Sequence, residues 1–255
     1  MIRASNLTVR LRDRAILHGI DFFARLGEVT AIVGPNGSGK TTLMRALTGD
    51  LPAEGQIEVA GLNPRTAKPW QMAAIRAVLP QATPMAFPFT VLEVVRLGLQ
   101  AGLDARQPHL ALAALARVGL QGYEARFYQE LSGGEQQRVQ IARVLAQVSR
   151  PGGRWLMLDE PVSSLDIGHQ LQIMELAADF AAQGGGVIAV MHDLNLTAMF
   201  AQSVALLADG RLLGQGAPRH VLTDRALSAA YRCRIRVNKT PESGTWLLPH
   251  LAESN

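Results

Sequence analysis

The chain has 255 residues, 48% of them apolar and 18% charged, which supports a folded core and argues against disorder. Its longest uninterrupted apolar run is Leu110–Ala116, far short of the roughly 20 residues of a membrane-spanning helix. Met1-Ile2-Arg3 leads into polar sequence without a secretory apolar segment, and the single cysteine, Cys233, has no partner for an internal disulfide, so a cytosolic chain is expected. The formal net charge is +4, yet the only lysines are Lys40, Lys68 and Lys239. Aromatic residues make up only 5%, too few for a base-stacking platform, so no nucleic-acid partner is expected.

In chain order, residues 1–34 read as strands, closing on the apolar run Glu28-Val-Thr-Ala-Ile-Val33. The alternating Arg10-Leu-Arg12-Asp-Arg14, like Arg232-Cys-Arg234-Ile-Arg236 near the C-terminus, reads as a solvated edge strand guarded by charge. Residues 42–48 have helical spacing, 55–61 form a short strand between glycines, 64–77 read as helix and 77–80 as strand. Residues 91–99, 110–120 and 138–146 are then all helical, an inserted helical stretch in an otherwise alternating pattern. Strands return at 155–159, 186–191 and 204–208, with helices at 170–182 and 195–201. A helix signal at 218–223 precedes Pro241 and Gly244 in the tail. This alternation predicts an α/β fold with a mostly parallel sheet covered on both faces.

Gly34-Pro35-Asn36-Gly37-Ser38-Gly39-Lys40-Thr41 matches the phosphate-loop pattern at every fixed position, between a predicted strand and a predicted helix. Glycines let successive backbone N–H groups face an anion, and the helix start adds its positive end. Lys40 is expected to reach the β- and γ-phosphates of a bound nucleotide, Thr41 to ligate Mg²⁺ and Thr42 to donate to a phosphate. The strand Trp155-Leu-Met-Leu158 runs into Asp159 and Glu160. A buried strand ending in carboxylates completes a phosphate-loop site. Asp159 is assigned to Mg²⁺ and Glu160 to general-base activation of water.

Leu131-Ser132-Gly133-Gly134-Glu135-Gln136-Gln137-Arg138 opens another helix. Ser132 and Glu135 have capping-box spacing, and two glycines leave this helix start bare, a second anion-binding end. With the phosphate loop, this octet resembles the signature of ABC-type ATPases. Gln81, the strand 155–160, Ser163-Ser-Leu-Asp166 and His192 follow in that family's order, and the likeness spans about residues 2–222.

The resemblance implies a P-loop fold with an antiparallel N-terminal β subdomain. The catalytic core would comprise residues 1–84 and 151–215, the inserted helical subdomain 85–150 and the tail 216–255. It also implies a head-to-tail homodimer with ATP held between the phosphate loop of one chain and Ser132–Glu135 of the other. Gln81 would sense the γ-phosphate and Mg²⁺, His192 would contact the γ-phosphate, and Asp166 would couple the two sites. His169 is expected to be a solvated helix residue. Two departures stand out: Leu11 and Arg12 where the family commonly places an aromatic under adenine, and Val162 where Thr is commoner.

One signature in one chain, without sustained heptads, favours a transporter ATPase over the soluble ABC proteins of DNA repair or translation. Phe87-Pro-Phe-Thr-Val-Leu-Glu and His192-Asp-Leu-Asn-Leu-Thr-Ala-Met-Phe resemble the iron-chelate, haem and cobalamin importer branch. Ala86-Phe-Pro-Phe-Thr-Val is most similar to haem importers, with siderophore or cobalamin import as the alternative. That likeness implies two permease subunits, a periplasmic binding protein and a peripheral place on the cytoplasmic face of the inner membrane.

Overall fold

The computed structural model describes residues 1–12, 14–81, 85, 87–102, 106–149, 152–240, 243–245 and 247. Asp13, Ala86 and Pro241, used in the sequence reading, lie outside the described residues.

The organising element is a six-stranded sheet whose inner strands are short apolar runs. It contains β3 (Val29–Val33), β5 (Arg76–Leu79), β6 (Trp155–Asp159), β7 (Gly186–Val190), β8 (Ser203–Ala208) and β9 (Arg211–Gly216). The order is β5-β6-β7-β3-β8-β9, parallel except for the antiparallel β8–β9 pair. Every residue of β3, β6, β7 and β8 is buried, which is why these strands read as continuous apolar runs and not as alternation. Alternate residues feed two cores: Val29, Ala31 and Val33 point into one cluster, and Ile32 into the other.

The second core is closed by a three-stranded antiparallel sheet of order β2-β1-β4, made of β1 (Ile2–Leu11), β2 (Arg14–Ala24) and β4 (Glu54–Val59). It is also closed by α1 (Lys40–Leu47), whose Leu43, Met44 and Leu47 are buried there. On the other side lie α3 (Val91–Ala101), α4 (His109–Arg117) and α5 (Gly133–Gln147), all between β5 and β6 in the chain. Thr90 and Glu93 form a reciprocal capping box at the start of α3. α6 (Ile167–Ala182) and α7 (Leu194–Phe200) connect β6, β7 and β8, capped by the carboxylates of Asp166 and Asp193.

Several expectations are corrected. Of the helix expected over 64–77, only α2 (Pro69–Ile75) forms, because Pro69 starts it and the chain turns extended at Arg76. β9 and a helix near the C-terminus, α9 (Asp224–Tyr231), extend the fold beyond the predicted elements; α8 (Pro218–Val221) is the predicted one. Neither arginine triplet is a guarded edge strand. Arg10 is the penultimate residue of β1, the central strand, Arg12 turns with φ +54°, and Arg14 opens β2. Arg232–Arg236 lie past α9 outside any strand, with one Arg232 nitrogen donating to both Asp209 oxygens and Arg236 donating once to Asp224.

Candidate functional site

The phosphate loop leaves the C-terminal end of β3 through three glycines in the left-handed region: Gly34 (φ +151°), Gly37 (+78°) and Gly39 (+102°). At Gly34 a side chain would also run into the Leu207 carbonyl on β8, so glycine is required there twice over. α1 begins immediately at Lys40. The Lys40 ammonium is buried and donates to the carbonyls of Gly34 (2.9 Å) and Pro35 (3.1 Å). Burial pulls its pKa below the ordinary lysine value, while the Glu160 and Asp159 carboxylates pull it back up. Ser38 is 2% exposed and its hydroxyl has no partner among the described residues.

Asp159 closes β6 and is 3% exposed. It accepts a hydrogen bond from the Thr41 hydroxyl at 3.3 Å. Burial pushes its pKa up, the Thr41 bond works against this, and the like charge of Glu160 adds to the rise. Glu160 takes a left-handed backbone, φ +54°, and its N–H donates to Val190 on β7 at 3.2 Å. A non-glycine residue held there is strained by about 1–2 kcal/mol, and Glu160 lines the cleft described below. His192, just after β7, holds that carboxylate through Nε2 to Oε1 at 2.6 Å.

These residues surround one cleft of about 720 Å³ lined by Asn36, Gly37, Gly39, Lys40, Thr41, Thr42, Gln81, Glu160 and His192, with Leu11 and Ile16 at its rim. Gln81, which follows β5, lines the same cleft as Glu160 and His192. Leu11 and Ile16 supply an apolar wall in place of the missing aromatic. Ile16 escaped the sequence reading, since it carries no motif and reaches the cleft only because the β1–β2 hairpin folds over the loop.

Two hard oxygen donors stand together here: the Thr41 hydroxyl, which lines the cleft, and the buried Asp159 carboxylate bonded to it, which does not. No cluster of three or more His, Cys, Asp or Glu side chains suited to a metal occurs among the described residues. That donor set fits a cation such as Mg²⁺, which takes one or two protein ligands beside substrate phosphates, and does not fit a closed protein cage.

Ser132–Glu135 are absent from the lining of this cleft. Ser132 caps α5: Glu135 Oε2 accepts from the Ser132 N–H and hydroxyl, both at 2.8 Å. Those bonds hold the Glu135 carboxyl below the usual range. Gly133 faces open space, whereas a Cβ on Gly134 would sit 3.3 Å from the Ser164 carbonyl. The Gln137 amide donates to the Pro161 carbonyl at 3.1 Å, so α5 is tied to the loop that follows Glu160. Asp166 caps α6 and accepts from the His169 N–H (3.0 Å), and its other oxygen lies 2.7 Å from His169 Nδ1. His169 is the partly exposed helix residue expected, and it is also a partner of Asp166. Val162 is buried in the core.

Residues 17–163 match the family model described as ABC transporter. The chain belongs to the ABC transporter family. It is an ATP-binding, ATP-hydrolysing subunit of that family. It is 62% identical to the hemin import ATP-binding protein HmuV of Jannaschia sp. (strain CCS1), over 99% of this chain and 95% of that one. Identity to the protein of the same name from Roseobacter denitrificans is 60%, over 98% and 97%. Among solved structures, an inward-facing, putative metal-chelate type ABC transporter is similar at TM-score 0.76 and 26% identity, over 91% of this chain and 89% of that one. A dimeric bacterial ABC transporter cassette is similar at TM-score 0.74 and 26% identity, over 86% and 99%. No helix among the described residues is long and apolar enough to cross a membrane, so this ABC subunit contributes no spanning helix from those residues.

Proposed function

We propose that this chain is the ATPase of a haem importer, working as a homodimer beneath two permease subunits fed by a periplasmic binding protein. It would act as a peripheral protein on the cytoplasmic face of the inner membrane. The observation that carries the substrate is the 62% identity to a hemin import ATP-binding protein over 99% of the chain. The one-sided cleft supports the dimer: it holds the phosphate loop and Glu160 but not the signature helix start, which a second copy would supply.

In this reading the Gly34–Gly39 amides and Lys40 cradle the ATP phosphates, with Pro35, Asn36 and Ser38 shaping the loop and Thr42 donating to a phosphate. Mg²⁺ would be held by Thr41, Asp159 and Gln81, and would neutralise phosphate charge. Glu160 takes the proton of the attacking water. His192, already bonded to Glu160 Oε1 at 2.6 Å, fixes that carboxylate and reaches toward the γ-phosphate. Ser132, Gly133, Gly134 and Glu135 of the other chain close over the nucleotide, and Asp166 links the two sites. Closure shifts the permease between its two orientations, and hydrolysis reopens it.

Glu160→Gln tests the assignment: ATP binding persists, the closed dimer accumulates, and steady-state hydrolysis falls about 10²–10⁴-fold, the usual range for a lost general base. Wild-type turnover in that variant refutes it. Uptake by the complex reconstituted in liposomes with its binding protein, comparing haem, ferric siderophore and cobalamin, tests the substrate. Uptake of either alternative in preference to haem overturns the haem reading.

A further inference from the structure

The segment after α8 reaches the back of the phosphate loop by two routes. Tyr231, the last residue of α9, packs against the main core. Its hydroxyl is sealed from solvent, lies against the backbone N–H of Gly34 and closes no well-formed hydrogen bond. An orphaned buried hydroxyl is uncommon enough to need a reason. Burial pushes the phenol pKa up and the Gly34 amide works against it, so the group stands as a neutral hydroxyl.

The second route starts one residue later. Arg232, in a left-handed turn (φ +56°), grips both carboxylate oxygens of Asp209 at 3.0 Å. Asp209 and Gly210 form the tight β8–β9 turn, with φ of +47° and +71°. The Gly210 N–H donates to the Ser38 carbonyl in the phosphate loop at 3.1 Å, and the Gly210 carbonyl accepts from His18 on β2 at 2.9 Å. A side chain on Gly210 would collide with the Ile16 carbonyl, and Ile16 lines the cleft. The segment itself is pinned. Ser228 Oγ accepts from the Ile235 N–H (3.0 Å), and Asp224 accepts from the Val237 N–H (2.8 Å) and from Arg236 (2.9 Å).

We propose that Tyr231 and the Arg232–Asp209 pair form a brace that sets the position of the phosphate loop from behind, at Gly34 and at Ser38, and so tunes ATP affinity. All three are positioning residues: none lines the cleft. The inference rests on the ATPase reading of that cleft.

The test measures KM for ATP, kcat and melting temperature for wild type, Tyr231→Phe, Arg232→Ala, Asp209→Ala and the exchange Asp209→Arg/Arg232→Asp. It uses the full chain assembled with its permease, alongside fluorescent-nucleotide binding to the chain alone. Loosening the loop from behind is expected to raise KM and the nucleotide Kd about 2–5-fold with kcat within twofold, the scale of an exposed ion pair. The exchange should recover at least half of the Arg232→Ala loss, which a general loss of stability does not do. KM and Kd within 1.5-fold of wild type in Tyr231→Phe and Arg232→Ala, whatever the melting temperatures do, overturn the brace. Failure of the wild type itself to bind or hydrolyse ATP overturns the underlying reading instead.

Discussion

Gly133 separates what the chain needs for its own fold from what it offers a partner. A Cβ at this position meets nothing within 4 Å among the described residues, and the backbone is not left-handed. Glycine costs a helix up to about 1 kcal/mol relative to alanine, so the fold gives no reason to keep it. Gly133→Ala should therefore leave the isolated chain as stable or up to about 1 kcal/mol more stable. For a protein of this size that is a rise of about 0–4 °C in Tm. If the bare helix start receives the nucleotide of a second chain, the added methyl occupies the space where backbone N–H groups approach a phosphate. Losing one such preorganised contact costs roughly 10²–10³ in kcat in well-studied oxyanion sites, so a fall of at least tenfold in turnover is expected, with ATP binding to the isolated chain unchanged. Scanning fluorimetry on the chain and phosphate release from the assembled transporter measure the two halves. Full turnover in Gly133→Ala would sink the shared-site argument, and a drop of several degrees in Tm would show that the chain's own packing had been misread.

Gly134→Ala should behave alike in turnover but gain less stability, because its Cβ would sit 3.3 Å from the Ser164 carbonyl. Asp159→Asn should stabilise the nucleotide-free chain at neutral pH while abolishing turnover. Burial raises this carboxyl's folded pKa, so the folded state holds the proton more tightly than the unfolded state. Stability then falls as pH climbs from the unfolded value through the folded one, and melting curves from pH 4 to 8 should flatten in the variant; an equal pH slope contradicts this. Leu11→Phe should tighten ATP binding about 3–10-fold by restoring a ring for adenine, read by nucleotide titration; weaker binding would place adenine elsewhere. Gly186→Ala should cost about 1–3 kcal/mol, because the new methyl would run into the Trp155 ring across the β6–β7 register, and an unchanged melting temperature would contradict that packing.

The phosphate loop, Asp159, Glu160, Gln81 and His192 were legible because the chemistry fixes both residue type and spacing, and the structure brings the cleft-lining members together. Short buried strands were equally legible, since a strand covered on both faces must be continuously apolar. Long-range placement was not. Nothing in Ile16 or Tyr231 signals that a hairpin and a late helix bring them to the nucleotide loop. The arginine triplets misled because alternation presumes an extended chain, and Arg12 and Arg232 instead sit in left-handed turns. The pairing of His169 with Asp166 followed an i,i+3 cap that was visible in the spacing but overshadowed by the motif.

The strand order carries a further consequence. β7 lies between β3, which feeds the phosphate loop, and β6, which ends in the two carboxylates. Adjacent strands are about 4.8 Å apart, so β7 acts as a ruler that keeps the ends of β3 and β6 roughly a nanometre from each other, and the phosphate loop and the Glu160 turn are built across that span. His192 stands just past the end of that ruler, bonded to Glu160. The span is written into the hydrogen-bond spacing of the backbone itself, so side-chain drift across homologous sequences can change what is recognised at the rim without altering the gap in which the bond is broken.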